Sequence, residues 1–306
     1  MEIALQFVLL ALGFVMLGKG ADWFVEGAAG IAMRFGIPQL VIGLTIVAMG
    51  TSAPEAAVSI AAAVKGNADI TIGNIVGSNI LNILVILGLA ASIVPIAVAR
   101  STVRIEIPFM IGVTALLFYQ GRDSSISLAD GGVLMVAFAA YMMYLYTMAM
   151  KSNVDSDLEE PGLPLGRCLL GAVGGLALII AGSNVTVGAA TSIATYAGLS
   201  ERFIGLTIVA LGTSLPELFT SVAAARRGNA DIAIGNIVGS NIFNILFVVG
   251  LSSLIIDIPF ASAFNFDTYV ALGAAVLLWL CVLRTQRLQR WAGALMLMCY
   301  AAYLGY

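Results

Sequence analysis

The sequence predicts an all-α integral membrane protein: ten transmembrane helices arranged as two inverted five-helix repeats with broken helices at the midplane. Three observations carry this: an apolar composition, ten windows long enough to cross a bilayer, and a stretch of 47 residues that recurs at a fixed offset. Of the 306 residues 60% are hydrophobic and 10% charged, with a mean hydropathy of +1.03. That much apolar surface cannot be hidden inside a water-soluble shell.

Windows able to cross about 30 Å of hydrocarbon fall near 3–32, 38–64, 70–94, 105–120, 128–150, 166–195, 200–226, 232–256, 267–284 and 291–306. The first has no basic n-region and no small-residue cleavage pattern, so it reads as a span rather than a removable signal peptide. Arg34, Arg100, Arg104, Lys151, Arg167, Arg226, Arg227, Arg284, Arg287 and Arg290 fall in one set of alternate connections, and Lys65, Arg122 and Arg202 in the other. By the positive-inside rule the richer set is cytoplasmic, which turns both termini outward. The expected location is the plasma membrane, in a prokaryote the inner membrane. Residues 151–165, with the acidic run Asp155, Asp157, Glu159 and Glu160, form a cytoplasmic linker between a first repeat (1–150) and a second (166–306).

Residues 43–89 laid on 205–251 at an offset of 162 match at 34 of 47 positions without a gap, including GLTIVA, GTS, PE, GNADI and GNIVGSNI. The second span maps onto the seventh. Five spans is an odd number, so the second half is expected upside down relative to the first. Inverted repeats with a site at the midplane are a usual build of secondary transporters, and the pattern implies alternating access.

The chemistry available is that of oxygen ligands. There is no histidine, and Cys168, Cys281 and Cys299 are scattered, which removes the usual zinc, copper and haem constellations. A net charge of −3 without a basic face argues against nucleic acid as a partner, and no protein partner is evident. An intramembrane serine hydrolase would need a base beside its nucleophile, and no histidine or lysine shares the GTS segments.

Ala48, Thr51, Ser52 and Glu55 are spaced i, i+3, i+4, i+7 and share one helix stripe, repeated by Ala210, Thr213, Ser214 and Glu217. Pro54 lacks an amide hydrogen and clashes with the Gly50 carbonyl, so the helix should break there and free the carbonyls of residues 48–51. Glu55 and Glu217 follow at mid-span, where an ionised carboxylate costs at least about 2.5 kcal/mol unless a cation compensates it. In the next span of each copy Asn74, Ser78 and Asn82, and Asn236, Ser240 and Asn244, are spaced i, i+4, i+8 and bring amide and hydroxyl oxygens toward the glutamates. Two carboxylates with neutral oxygens fit the six to eight ligands of calcium. The same oxygens divided into smaller groups suit sodium, so either ion excludes the other. The plainer alternatives are a protonated carboxyl that bonds a neighbouring helix and, for the serines and asparagines, ordinary interhelical contacts. Asp69 and Asp231 begin spans and read as helix N-caps. Lys19, Asp22 and Glu26 read as an ion pair internal to the first span.

GTSAPE and GTSLPE, each followed by GNIVGSNI, resemble the paired alpha-repeats of the sodium/calcium exchanger family of cation/calcium antiporters. The resemblance covers both halves. It implies Glu55 and Glu217 as central calcium ligands, helped by the carbonyls of Thr51 and Thr213. It implies sodium positions lined by Ser52, Ser214, Ser78, Ser240 and the carbonyls of Ala48 and Ala210. Potassium-dependent relatives carry an acidic residue where this chain has Asn244, so the resemblance implies exchange without potassium. The short linker matches a minimal prokaryotic member, with no cofactor beyond the transported ions. A site charge of −2 with more than two sodium ions exchanged per calcium would make transport electrogenic. The resemblance also suggests gating by spans 1 and 6 sliding over the remaining bundle. Ligand types alone do not select the ion, so a proton- or magnesium-coupled exchanger on the same scaffold stays open, and a passive cation channel is the reading from another class.

Overall fold

A computed structural model describes residues 2–66, 68–152, 163–198 and 210–305. The linker's acidic run, Arg202 and the second GLTIVA segment lie outside these residues. Twelve helices are named in chain order: α1 (Glu2–Phe35), α2 (Gln39–Thr51), α3 (Ala53–Val64), α4 (Ile70–Ile93), α5 (Thr102–Asp123), α6 (Leu128–Ser152), α7 (Leu165–Tyr196), α8 (Ala210–Thr213), α9 (Leu215–Arg226), α10 (Ala230–Ile255), α11 (Ala263–Leu283) and α12 (Arg290–Leu304). Among the described residues seven are long and apolar enough to cross a membrane, eight if the bent pair α2 and α3 counts as one span. Of the other two expected windows, 200–226 lies partly outside the described residues and α12 has 15 residues.

The interior is built from the duplicated segments. In the most apolar window of α10, 94% of residues are buried, against 17% for α1 and α6. This matches the sequence, because the Asn and Ser residues that need partners are on α4 and α10, whereas α1 and α6 can turn apolar side chains to lipid. α3 packs on α4 as α9 packs on α10, and α12 lies against the second half of α4 as α6 lies against that of α10. α1 runs along α7, brought close by small residues.

The repeat continues beyond the matching residues. Two short antiparallel pairs join loops: β1 (Ile96–Ala97) with β4 (Arg287–Leu288), and β2 (Ser125–Ile126) with β3 (Ile258–Pro259). The registers Ile96 to Leu288 and Ile126 to Ile258 are each other's counterparts at an offset of 162, since 96 + 162 = 258 and 126 + 162 = 288. Left-handed residues recur at the same offset: Gly66 (φ +79°) with Gly228 (φ +80°), and Ser124 (φ 70°) with Gln286 (φ 50°). The first pair ends the broken span in K-G-N and R-G-N, where a residue without Cβ adopts this conformation freely.

Two expectations are corrected here. Asp231 is not a cap: the N-cap of α10 is Asn229, without a side-chain cap bond, and Asp231 lies in the first turn, where a carboxylate favours the helix dipole. The side chain of Asp69 lies outside the described residues. Asp22 and Glu26 do not pair within their own helix. Arg227, between α9 and α10, reaches both, at 3.3 Å and 3.1 Å, because the fold brings the end of α9 alongside α1.

Candidate functional site

The helix break falls at Ser52 (φ −80°, ψ 5°), two residues before Pro54, which then occupies the first turn of α3, where its missing amide is harmless. The two arms meet at 51°. The second copy repeats the break at Ser214 (φ −91°, ψ 4°), ahead of Pro216. The expectation of a free Ala48 carbonyl is corrected. It accepts the Ser52 amide at 3.0 Å and also lies 3.3 Å from the hydroxyls of Thr51 and Ser240. A bend this shallow keeps the first turn of bonding across the break.

Each glutamate starts its post-break helix, where the exposed amides of the first turn favour a negative charge. Both are 1% exposed. The contacts between the copies are reciprocal. The Ser52 hydroxyl donates to Glu217 Oε1 at 2.8 Å, and the Ser214 hydroxyl donates to Glu55 Oε1 at 3.3 Å. Such an exchange needs a two-fold relation between the segments. The remaining oxygens, Glu55 Oε2 and Glu217 Oε2, are buried without a hydrogen-bond donor.

The asparagines complete the cradle. Asn82 Nδ2 donates to Asn241 Oδ1 at 2.9 Å, and Asn244 Nδ2 donates to Asn79 Oδ1 at 3.1 Å. Asn79 and Asn241 each donate to the other's backbone carbonyl at 3.2 Å. With its amide nitrogen engaged, each of Asn82 and Asn244 leaves Oδ1 buried and unpartnered. Four buried acceptors in two symmetric pairs thus lack donors, which in a low-dielectric interior is unfavourable unless a cation serves them. Asn82 and Asn244 each open a π-helical stretch, Asn82–Leu87 and Asn244–Val249. Such local widening is frequent at functional positions.

Asn74 and Asn236 turn their amides elsewhere than expected. Asn74 Nδ2 donates to the Ser59 hydroxyl at 2.9 Å and reaches the Glu55 backbone carbonyl at 3.3 Å, and Asn236 repeats this with Ser221 and Glu217 at 2.9 Å and 3.4 Å. They pin the glutamate backbones. Asn236 Oδ1 also accepts the Thr51 hydroxyl at 3.0 Å. Ser78 and Ser240 are buried beside the break and Thr213 is half-buried, while the side chain of Ala210 lies outside the described residues. α10 comes close to α2 because Gly235 and Gly239 face it: a Cβ on Gly239 would lie 2.8 Å from the backbone of Leu44. Sequence reasoning missed Asn79, Asn241, Ser59 and Ser221. All four are identical between the copies, which was the available signal. Among the described residues no three His, Cys, Asp or Glu side chains cluster, so two carboxylates are the whole charged complement of this cradle.

Known proteins resemble this chain over nearly its full length. The family described as "Sodium/calcium exchanger protein" matches residues 5–147 and 168–306. The chain is 41% identical over 314 residues to the "Putative antiporter CaxA" of Alkalimonas amylolytica, covering 99% of this chain and 98% of that one. It is 33% identical over 345 residues to the "Sodium/calcium exchanger MaX1" of Methanosarcina acetivorans, covering 99% and 98%. A solved structure of the sodium-calcium exchanger NCX_Mj, soaked with 2.5 mM Na+ and 10 mM Sr2+, superposes with a TM-score of 0.87 at 33% identity over 99% of both chains. With the family profile on both halves and two full-length relatives above 30% identity, this chain belongs to the sodium/calcium exchanger family of membrane cation/calcium antiporters and is a transporter rather than an enzyme.

Proposed function

We propose that this chain exchanges sodium for calcium through the cradle between Glu55 and Glu217, one ion type at a time. The observation that carries the reading is the set of four donorless buried oxygens, Glu55 Oε2, Glu217 Oε2, Asn82 Oδ1 and Asn244 Oδ1. Two carboxylates balance one calcium ion. The carbonyls of Thr51 and Thr213 would add to its shell, toward the six to eight oxygens it takes. Sodium would divide the same ligands, with Ser52, Ser214, Ser78, Ser240 and the carbonyls of Ala48 and Ala210 completing smaller shells.

The paired loops support ten spans in two inverted halves. β1 and β4 follow the third and ninth expected spans, β2 and β3 the fourth and eighth, so each pair joins loops of one face. The offset of 162 exchanges the two pairs and therefore the two faces. This favours alternating access about the shared cradle, with α1 and α7 as the sliding unit. The basic connections support cytoplasmic loops, outward termini and a prokaryotic inner-membrane location. Asn244 supports independence from potassium, and more than two sodium ions per calcium would make exchange electrogenic.

Calcium-45 uptake into proteoliposomes tests the reading. Vesicles loaded with sodium should accumulate calcium, choline- or potassium-loaded vesicles should not, and an inside-positive potential should speed the uptake, because more than two sodium ions leave for each calcium that enters and net positive charge moves out. Uptake that follows a pH gradient and ignores sodium would contradict it.

A further inference from the structure

The two antiparallel loop pairs are related by the repeat, yet one of them carries charge that the other lacks. β1 and β4 join the connection after α4 to the one before α12, with Ala97 opposite Arg287 and the Val98 amide donating to the Gln286 carbonyl at 2.9 Å. Ile96, Val98 and Leu288 are buried, which anchors the ladder to the core. Arg287 stands on this ladder, and Arg284 and Arg290 flank it. The Arg290 guanidinium crosses to the other loop and donates to the Ile93 carbonyl at 3.3 Å. From that loop Arg100 follows shortly after Ala97, and Arg104 lies about a turn further on, in the π-helical stretch Thr102–Glu106. Trp279 Nε1 donates to the Val103 carbonyl at 2.9 Å and holds this stretch beside α11. All five arginines are exposed. Residues 94–105 and 284–291 contain no Asp or Glu, and among the described residues both ion pairs belong to Arg227.

We propose that this arginine platform binds the headgroups of anionic phospholipids. Its partner is anionic because the ladder gathers positive charge from two distant loops without a carboxylate to balance it. The partner is lipid because exposed apolar side chains adjoin the charges: Ile105 follows Arg104, Leu283 precedes Arg284, Trp291 follows Arg290, and Ile93 lies under the Arg290 contact, each 43–60% exposed. Side chains of this kind face acyl chains while the neighbouring guanidinium groups reach the phosphate level. Arginine suits a phosphate because its planar fork bonds two oxygens at once, and Arg290 spends one donor on Ile93 and keeps the rest. The two-fold mate shows that the ladder itself does not demand this charge. At the offset of 162, Arg100, Arg104, Arg287 and Arg290 become Ser262, Phe266, Ser125 and Leu128. Arg284 alone has a basic counterpart, Arg122, which lies over the rings of Phe118 and Tyr119 and has Asp123 beside it. The positive-inside rule accounts for arginines in this set of connections, but not for their gathering on one ladder. Clusters of about four to eight basic residues beside a membrane span recognise anionic lipid. A headgroup bound here bridges the first half of the chain to the second.

Fluorescence quenching in vesicles tests this. Once the third tryptophan is removed by Trp23→Phe, Trp279 and Trp291 both report on lipid beside the platform. The full chain is reconstituted into mixtures of phosphatidylglycerol and phosphatidylcholine, with one lipid or the other brominated in its acyl chains, and the quenching gives their relative affinity. Phosphatidylglycerol should be preferred about tenfold at about 0.1 M salt, and less as salt screens the charges. Arg100→Gln, Arg287→Gln and Arg290→Gln together should abolish the preference, whereas Arg122→Gln on the two-fold-related ladder should leave it. Inorganic phosphate should not relieve the quenching by brominated phosphatidylglycerol. If it does, the platform is a site for free phosphate and the lipid assignment fails. Equal affinity for the two lipids in the chain with its arginines intact overturns the proposal, leaving the arginines only a part in orienting the chain in the bilayer. A preference that survives the triple variant overturns it as well. Should the triple variant not fold, Arg287→Gln alone, at an exposed position, should fold and lower the preference several-fold, and an unchanged preference there counts against the platform equally.

Discussion

Glu55→Gln and Glu217→Gln should each raise the calcium half-saturation of sodium-driven uptake by about 100-fold or more. Truncating one member of a buried charge interaction costs about 2–5 kcal/mol, and each tenfold in affinity is about 1.4 kcal/mol. Glutamine keeps the shape and still offers an oxygen to the Ser214 or Ser52 hydroxyl, so the loss is one of charge and not of fold. The two variants should be equally impaired, because the contacts of each glutamate are those of the other at the repeat offset. Without ions either variant should melt at or above the wild-type temperature, since an unpaired buried charge has been removed. The measurements are calcium-45 uptake at graded calcium and thermal unfolding in chelator. A variant that keeps wild-type half-saturation would mean that its carboxylate does not touch the transported ion.

Gly175→Leu should be as damaging by a different route. A Cβ at Gly175 would lie 2.7 Å from the Gly20 carbonyl and 2.8 Å from Phe24 Cα, so backbone would have to give way. Overpacking of this kind costs about 1–3 kcal/mol and occasionally more, and the two helices cannot separate while keeping their seam. The unfolding midpoint should fall by roughly 5 °C or more, and transport should be lost if α1 and α7 move as one unit. Gly174 is the control. Nothing lies within 4 Å of a Cβ placed there, so Gly174→Leu should fold and transport like the wild type. Equal behaviour of the two variants would contradict the packing described for this seam.

What the sequence made legible is what its duplication repeats. The glutamates, the asparagines at 82 and 244 and the break between the two arms of α2 and α3 all lie within the matching segments, and the fold brings them together as their spacing implies. The break itself was placed two residues late, because proline signals where an amide is missing and not where the chain chooses to bend. Asn79 and Asn241 lie one residue past Ser78 and Ser240, off the stripe of positions 74, 78 and 82 and its copy, and each has its partner in the other half, which spacing within one helix does not reveal. The loop pairs β1–β4 and β2–β3 left no signal, since two-residue ladders need only backbone and their side chains were free to diverge. The partner of Asp22 and Glu26 was misjudged because Arg227 is some two hundred residues away.

The central claim is that one divalent cation is held between the two halves. Crystals soaked in strontium, collected where its anomalous scattering is strong, test this most directly. The account predicts one dominant peak within coordination distance of both Glu55 and Glu217, with the oxygens of Asn82 and Asn244 facing it. A peak that touches only one glutamate, or none at the cradle under conditions that drive exchange, would contradict it.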